Sequence, residues 1–466
     1  MTDPSTLSSS FRDPAGFLFR RGGVLYRQVN PVHQEHYDAL FDSGLYDELT
    51  RLGLLVPHEE VAAASFGTED AYKVIKPEVV DFISYPYEWS FGQLKDAALA
   101  TLRIQKVALD KGMSLRDASA YNIQFHRGRP VLIDTLSFEV LQEGEPWVAY
   151  RQFCQHFLAP IALMAYRDVR LGLLSRNHID GVPLDLAARM LPLRTRFRIP
   201  LLLHVFLHAR SQKKHSHTGG GSESTKKPAR NRPFTLQAFK GLIDSLYRAV
   251  DKMELGRADS HWVDYYAEAA HYSSEATDHK QELVASLIEQ AAPQTVWDLG
   301  ANTGLFSRIA AAQGVKTIAF EMDPACVEES YRRVKADKEE NVLPLVCDLT
   351  NPSPGLGWAN EERMTLQERG PADLLLALAL IHHLAIANNV PLTKIADYFA
   401  SLGSRLIIEF VPKSDEKVRH LLSSREDVFP DYTRDGFERA FKESFETERV
   451  EEIKGSERVL YLMRVR

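Results

Sequence analysis

The sequence predicts an α/β fold over residues 286–466, preceded by a separate α+β half. Three observations point there. Apolar runs of strand length alternate with helical periodicity from residue 295 to the end. Residues 296–304 read Val-Trp-Asp-Leu-Gly-Ala-Asn-Thr-Gly, an apolar strand end running into a glycine turn. An acidic pair, Glu321 and Asp323, ends the next apolar run. Alternation of this kind implies a parallel sheet covered by helices on both faces.

The elements follow in order. In the first half, strands are expected over 24–29, 72–75 and 81–85, a long helix over 31–54 and another over 91–111. A short hairpin is expected from 123–125 and 130–133, turning at Arg127-Gly128-Arg129. Residues 211–233 hold Thr218-Gly219-Gly220-Gly221-Ser222 between Lys213, Lys214, Lys226, Lys227, Arg230 and Arg232, with almost no apolar residue. Such a stretch buries too little surface to offset chain entropy, so it reads as a disordered basic linker. Helical spacing over 234–250 and 265–292 predicts a helical bridge or lid across 234–285. Strands at 295–298, 317–321, 341–347, 373–379 and 405–410 then alternate with helices at 305–313, 324–339 and 391–401, and two strands, 447–453 and 459–464, close the chain.

Composition narrows the class. With 466 residues, the chain exceeds one ordinary core, and two or three domains are expected. A net charge of −7 argues against a whole-protein nucleic-acid binder. Cys154, Cys326 and Cys347 have no paired spacing and read as reduced thiols, which with the lack of an apolar leader in the first ten residues suggests a cytoplasmic protein. No apolar run approaches the roughly 20 residues of a membrane span.

The glycine turn and its following acids describe a nucleoside site. Glycine lets a ligand approach the backbone, and an acid at the end of the second strand can bind ribose hydroxyls. The spacing D-x-G-x-x-x-G is not a phosphate-binding loop and brings no lysine, so it suits a nucleoside with little or no phosphate. These residues resemble motif I of the class I S-adenosylmethionine-dependent methyltransferases, and the final strand pair fits that family's sheet. The resemblance implies a Rossmann-like fold and S-adenosylmethionine as cofactor. It implies that Asp298, Gly300 and Gly304 hold the cofactor's methionine end, Glu321 its ribose, and Asp348 its adenine amine, with Asn302 of the same turn also binding the cofactor. Asp323 instead fits a cap for the helix opening at Pro324.

In the same family the loop after the fourth strand faces the acceptor. His382 and His383 stand there, where a histidine would orient the acceptor or take its proton; packing beside Leu384 is the alternative. Glu409 ends another strand, near the acceptor pocket or as a loop cap. The aromatics Trp262, Tyr265, Tyr266, His271 and Tyr272 would form a lid or plain core. No metal is expected in this domain. Absence of an Asn-Pro-Pro-Tyr or Asp-Pro-Pro-Tyr signature speaks against base N-methylation.

Within 1–210, Asp117 and Asn122 stand five apart before the hairpin, and Asp134 follows it. This resembles the catalytic loop of protein-kinase-like and aminoglycoside-phosphotransferase-like folds, where such residues supply a base and ligands for magnesium. The resemblance implies an α+β kinase-like domain and a candidate phosphotransfer site at Asp117, Asn122 and Asp134, using magnesium and ATP if active. The pattern departs from the family: Gly16, Gly22 and Gly23 make no glycine-rich loop, Arg27 stands where a lysine is expected, and Asp134-Thr135-Leu136 replaces Asp-Phe-Gly. The expected protein is therefore a methyltransferase with a kinase-like domain for substrate or partner binding. A small-molecule or glycoconjugate acceptor is favoured, with nucleic acid and protein acceptors left open. A phosphotransferase and a non-catalytic nucleoside-binding scaffold are the alternatives.

Overall fold

The computed structural model describes residues 5–62, 70–207, 234–256, 274–423 and 426–466. The chain forms two compact units, Met1–Ala258 and Asp259–Arg466. That boundary falls inside the stretch expected as one helical bridge. The helix Leu236–Asp251 belongs to the first unit, where Lys240 and Asp244 pair with Asp110 and Lys106 of the helix Phe91–Asp110. The helix Ser274–Ala291 belongs to the second. The expected linker and the aromatics at 262–272 lie outside the described residues.

The first unit begins with a five-stranded antiparallel sheet of order β1-β2-β3-β5-β4, with β1 Ser5–Thr6, β2 Gly16–Arg21, β3 Val24–Val29, β4 His58–Val61 and β5 Lys73–Pro77. Gly22 and Gly23 form the two-residue turn between β2 and β3, both with positive φ, as such hairpin turns require. Gly16 has a different reason: a Cβ there would lie 2.0 Å from the Gln28 carbonyl oxygen and 2.9 Å from Leu136 Cδ1. This close approach lets Leu136 pack with Ala15, Val29, Tyr37 and Ile75, drawing the segment after Asp134 against β3.

Two local expectations are corrected. The helix expected over 31–54 is broken at Gly44, whose φ of 70° ends one helix, Gln34–Asp42, before another, Leu45–Arg51. The segment 81–85 is no strand. The buried Gln124 side chain takes the place of a neighbouring strand, accepting from Ser84 N–H (2.8 Å) and donating to Ser84 C=O (2.9 Å). The helix Phe91–Asp110 starts where Ser90 and Gln93 cap each other. Small ladders follow: β6 Met113–Leu115 pairs with β9 Phe138–Val140, and β7 Ile123–His126 with β8 Arg129–Leu132.

The second unit is a seven-stranded sheet of order β12-β11-β10-β13-β14-β16-β15. Its strands are β10 Thr295–Leu299, β11 Lys316–Glu321, β12 Val342–Val346, β13 Leu374–Ala377, β14 Arg405–Phe410, β15 Phe445–Glu452 and β16 Val459–Val465. The first five run parallel, and β16 is antiparallel to both neighbours. This agrees with the expected sheet and its antiparallel closing pair. Helices Glu416–Leu422 and Arg434–Lys442, which the periodicity does not assign, are capped by Asp415 and Thr433. Chain order reverses between β10 and β13, since β11 and β12 lie on one side and β13 and β14 on the other. The loops after β10 and β13 therefore flank the crevice where open α/β sheets bind ligands.

Candidate functional site

The glycine turn follows β10. Gly300, Asn302 and Gly304 have φ of 77°, 51° and 84°, and Gly300 and Ala301 N–H both donate to Phe320 C=O at 2.9 Å. A Cβ at Gly304 would lie 2.7 Å from Arg308 Nη1 and 2.9 Å from Ser330 Oγ. Glycine at 304 is thus required by conformation and by packing against the following helix.

Glu321, at the end of β11, turns toward this loop. Its carboxylate accepts from Asn302 N–H (2.8 Å) and Asp323 N–H (2.9 Å). Asp323 caps the helix Pro324–Asp337 by accepting from Ala325 N–H, which separates the two acids' roles. Asp298 is buried and accepts from the Ser307 hydroxyl at 2.6 Å. Burial pushes its carboxyl up to about 6; the Ser307 bond opposes this, and the Glu321 charge adds to it. Burial also raises Glu321. The fold brings Asp298, Glu321 and the glycine turn together. Asp348 stands just beyond β12, the next strand outward, with its carboxylate on Thr350 N–H and Oγ (2.8 and 2.7 Å).

On the other side of the switch point, the loop after β13 carries Ala379 at φ 50°, uncommon for a residue with a Cβ. Its N–H donates to Glu409 Oε2 at 2.7 Å. Glu409, fully buried, also receives Lys280 Nζ at 2.6 Å and Arg458 Nη1 at 3.3 Å, while Arg458 reaches Asp415 at 2.7 and 3.1 Å. Burial alone would raise the Glu409 carboxyl; Lys280 and Arg458 outweigh it and hold it down at about 2. Burial pushes Lys280 down from the usual lysine range. Glu409 thus anchors the loop before His382 and His383.

Those two rings stand 4.2 Å apart. His382 is 2% exposed, and its Nδ1 has no hydrogen-bond partner among the described residues. Burial, then the nearby His383, holds it well below the ordinary histidine range, so it is neutral at physiological pH. Burial lowers His383 as well. Lys280, Ser307 and Arg458 are site residues that the sequence reading missed. Lys280 had a signal: it is a lone charge in the apolar row Ala276, Val284, Leu287, Ile288 and Ala291. Arg458 follows the turn at Gly455 and had none.

In the first unit Arg27 Nη1 lies 2.6 Å from Asp134 and its other amine 3.5 Å from Asp13, which pairs with Arg116 at 2.6 Å. Asp134 also accepts from Leu136 N–H (3.0 Å) and Ser137 Oγ (2.7 Å), and Asn122 donates to Ser137 at 3.2 Å. Asp117 accepts from Ser119 N–H and Gln152 Nε2. Burial raises it, with Asp134 and Asn122 near enough to act on it. The three residues Asp117, Asn122 and Asp134 therefore do cluster. Magnesium does not fit them as folded: Asp134 is committed to Arg27, Ser137 and a backbone amide. Among the described residues, no three His, Cys, Asp or Glu side chains are placed to hold a metal ion.

Among known proteins, the chain is 35% identical over 463 residues to Nodulation protein NoeA of Rhizobium meliloti (strain 1021), across 98% of this chain and 96% of that one. The chain belongs to the NoeA family. No protein-family model matches this NoeA-family chain. Solved structures similar to part of it include PH0226 protein from Pyrococcus horikoshii OT3 (18% identity, TM-score 0.32, 44% of this chain and 99% of that one). Two others are the N-methyltransferase NodS from Bradyrhizobium japonicum WM9 (10%, 0.31, 41% and 98%) and magnesium protoporphyrin IX methyltransferase from Synechocystis PCC 6803 (15%, 0.32, 44% and 93%). At these levels of similarity the NoeA-family site rests on its own strand order and geometry. Among its described residues no helix is long and apolar enough to cross a membrane.

Proposed function

We propose that the second unit is an S-adenosylmethionine-dependent methyltransferase. The observation that supports this most is the Glu321 carboxylate hydrogen-bonded to the Asn302 amide of the glycine turn, beside buried Asp298, at the switch point of the sheet. These residues fit the cofactor: Gly300 and Gly304 hold the turn close to the strand ends, Glu321 keeps lone pairs for ribose hydroxyls, and Asp298 offers an anion to an ammonium. Asp348, at the neighbouring strand end, would meet the adenine. S-adenosylmethionine held there would supply a methyl group on a sulfonium, with the neutral thioether as the leaving group. The chain's own work is to align the acceptor and exclude water. His382, neutral and with an Nδ1 that has no hydrogen-bond partner among the described residues, would accept a hydrogen bond or a proton from the acceptor, and His383 would assist. Glu409 holds their loop in place through Ala379. The acceptor we propose is a small molecule or glycoconjugate intermediate.

Replacing Glu321 by Ala tests the cofactor assignment by calorimetry. Loss of one charged hydrogen-bonded contact should weaken S-adenosylmethionine binding by about 1.5–3 kcal/mol, or roughly ten- to a hundredfold. Unchanged affinity refutes it.

For the first unit, within whose bounds the basic stretch 211–233 falls, we propose a kinase-like domain that binds the substrate or a partner. The clustering of Asp117, Asn122 and Asp134 supports the likeness, and the Arg27–Asp134 pair speaks against metal-dependent phosphotransfer.

A further inference from the structure

We propose that the surface around the short helix Leu193–Phe197 docks on an anionic phospholipid bilayer. The proposal is independent of the methyltransferase reading. Five apolar side chains project here within fifteen residues: Phe197 is 89% exposed, Leu193 70%, Ile199 69%, Leu203 44% and Leu207 43%. Scattered exposed apolar residues are ordinary, but a cluster of them marks a contact surface.

The local fold explains the display. In a 3-10 turn, residues three apart eclipse one another. Thr195 is 1% exposed and donates its hydroxyl to Pro192 C=O at 2.6 Å, so its row faces the body. The rows of Leu193 with Arg196, and of Arg194 with Phe197, therefore face outward. Arg196 lies over the Phe206 ring at 5.4 Å and Arg198 over the Tyr166 ring at 4.8 Å, which keeps both guanidiniums near the base of the apolar projection.

Charge identifies the occupant. The chain carries a net −7, yet from Leu186 to Leu207 it has no acid. That stretch holds Arg189, Arg194, Arg196 and Arg198. Apolar tips entering the headgroup boundary, ringed by arginines that pair with lipid phosphates, match an interfacial anchor. A nucleic acid would answer the charge but leave the aliphatic tips without a role, since single strands are held by stacking on aromatic rings. A protein partner would answer the tips and leave the acid-free stretch unexplained.

The test is co-flotation of the full chain with vesicles of phosphatidylcholine, alone or with about 30% phosphatidylglycerol. The chain should float with the anionic vesicles only, and less at about 0.5 M salt. The variant Leu193→Ser/Phe197→Ser should lower partitioning by about tenfold or more. Arg194→Gln/Arg196→Gln/Arg198→Gln should do likewise, with circular dichroism unchanged in both because the positions are exposed. No flotation with anionic vesicles, or full flotation of either variant, overturns the proposal. So does a dimer in light scattering that Leu193→Ser/Phe197→Ser dissociates, which would make this a self-association face. Binding of single-stranded RNA that anionic vesicles do not displace overturns it as well.

Discussion

Replacing Lys280 by Met should destabilise the second unit far more than the loss of one surface lysine would. Lys280 Nζ sits 2.6 Å from Glu409, a carboxylate with no solvent exposure, and its removal leaves the carboxylate to Arg458, at 3.3 Å and shared with Asp415, and to the neutral Ala379 N–H. Glu409 held at about 2, against 4.5 in the unfolded chain, corresponds to about 3 kcal/mol in favour of the charged folded form. Breaking a buried pair by removing one partner typically costs about 3–5 kcal/mol, so the two figures agree. The lowered Lys280 opposes the Glu409 contribution, so the pair as a whole is worth much less than either single deletion suggests. The assay is a double-mutant cycle of Lys280→Met, Glu409→Gln and both together, followed by urea unfolding. Gln keeps an oxygen for the Ala379 N–H, and the first unit, unchanged throughout, cancels from the cycle. Each single variant should lose about 3 kcal/mol or more, and the double variant should lose clearly less than their sum. A Lys280→Met loss below about 1 kcal/mol, or strict additivity, refutes the reasoning. Acid provides a second readout: the Glu409 contribution is present above pH 4.5 and is lost as pH falls through about 2, and that dependence should vanish in Glu409→Gln.

Asp298 gives the opposite pH sign. Its carboxyl is raised to about 6 from 3.8, so stability is full below pH 3.8, declines as pH rises to about 6 and stays about 3 kcal/mol lower above it. Asp298→Asn, which keeps an acceptor for Ser307, should remove that decline in urea unfolding, raise stability at neutral pH and weaken S-adenosylmethionine binding; a variant no more stable than the parent at neutral pH contradicts the assignment. In the first unit, Asp117→Asn should leave methyl transfer intact when tritiated methyl incorporation is followed in a cell extract. A loss of turnover would favour the phosphotransferase reading.

Much of the second unit was legible in the sequence because its signals are local. Each parallel strand is apolar on both faces, and Gly300 and Gly304 mark left-handed backbone that side chains disfavour. Glu321 and Asp323 could be told apart in advance because Asp323 precedes a proline-opened helix. The first unit was harder. Gly44 was lost inside a long amphipathic pattern, and 81–85 looks like a strand because its ladder partner is a side chain, Gln124, forty residues on.

The sequence by itself determined the alternating sheet, the glycine turn and the acid at the end of the next strand, because backbone conformation and apolar period act over a few residues. Only the tertiary structure decided which charges meet. Lys280 and Glu409 are 129 residues apart, and Arg27 and Asp134 are brought together by the packing of Leu136 behind β3. A charge carries no mark of its partner along the chain; a buried ion pair exists only where folding removes water from both groups at the same point.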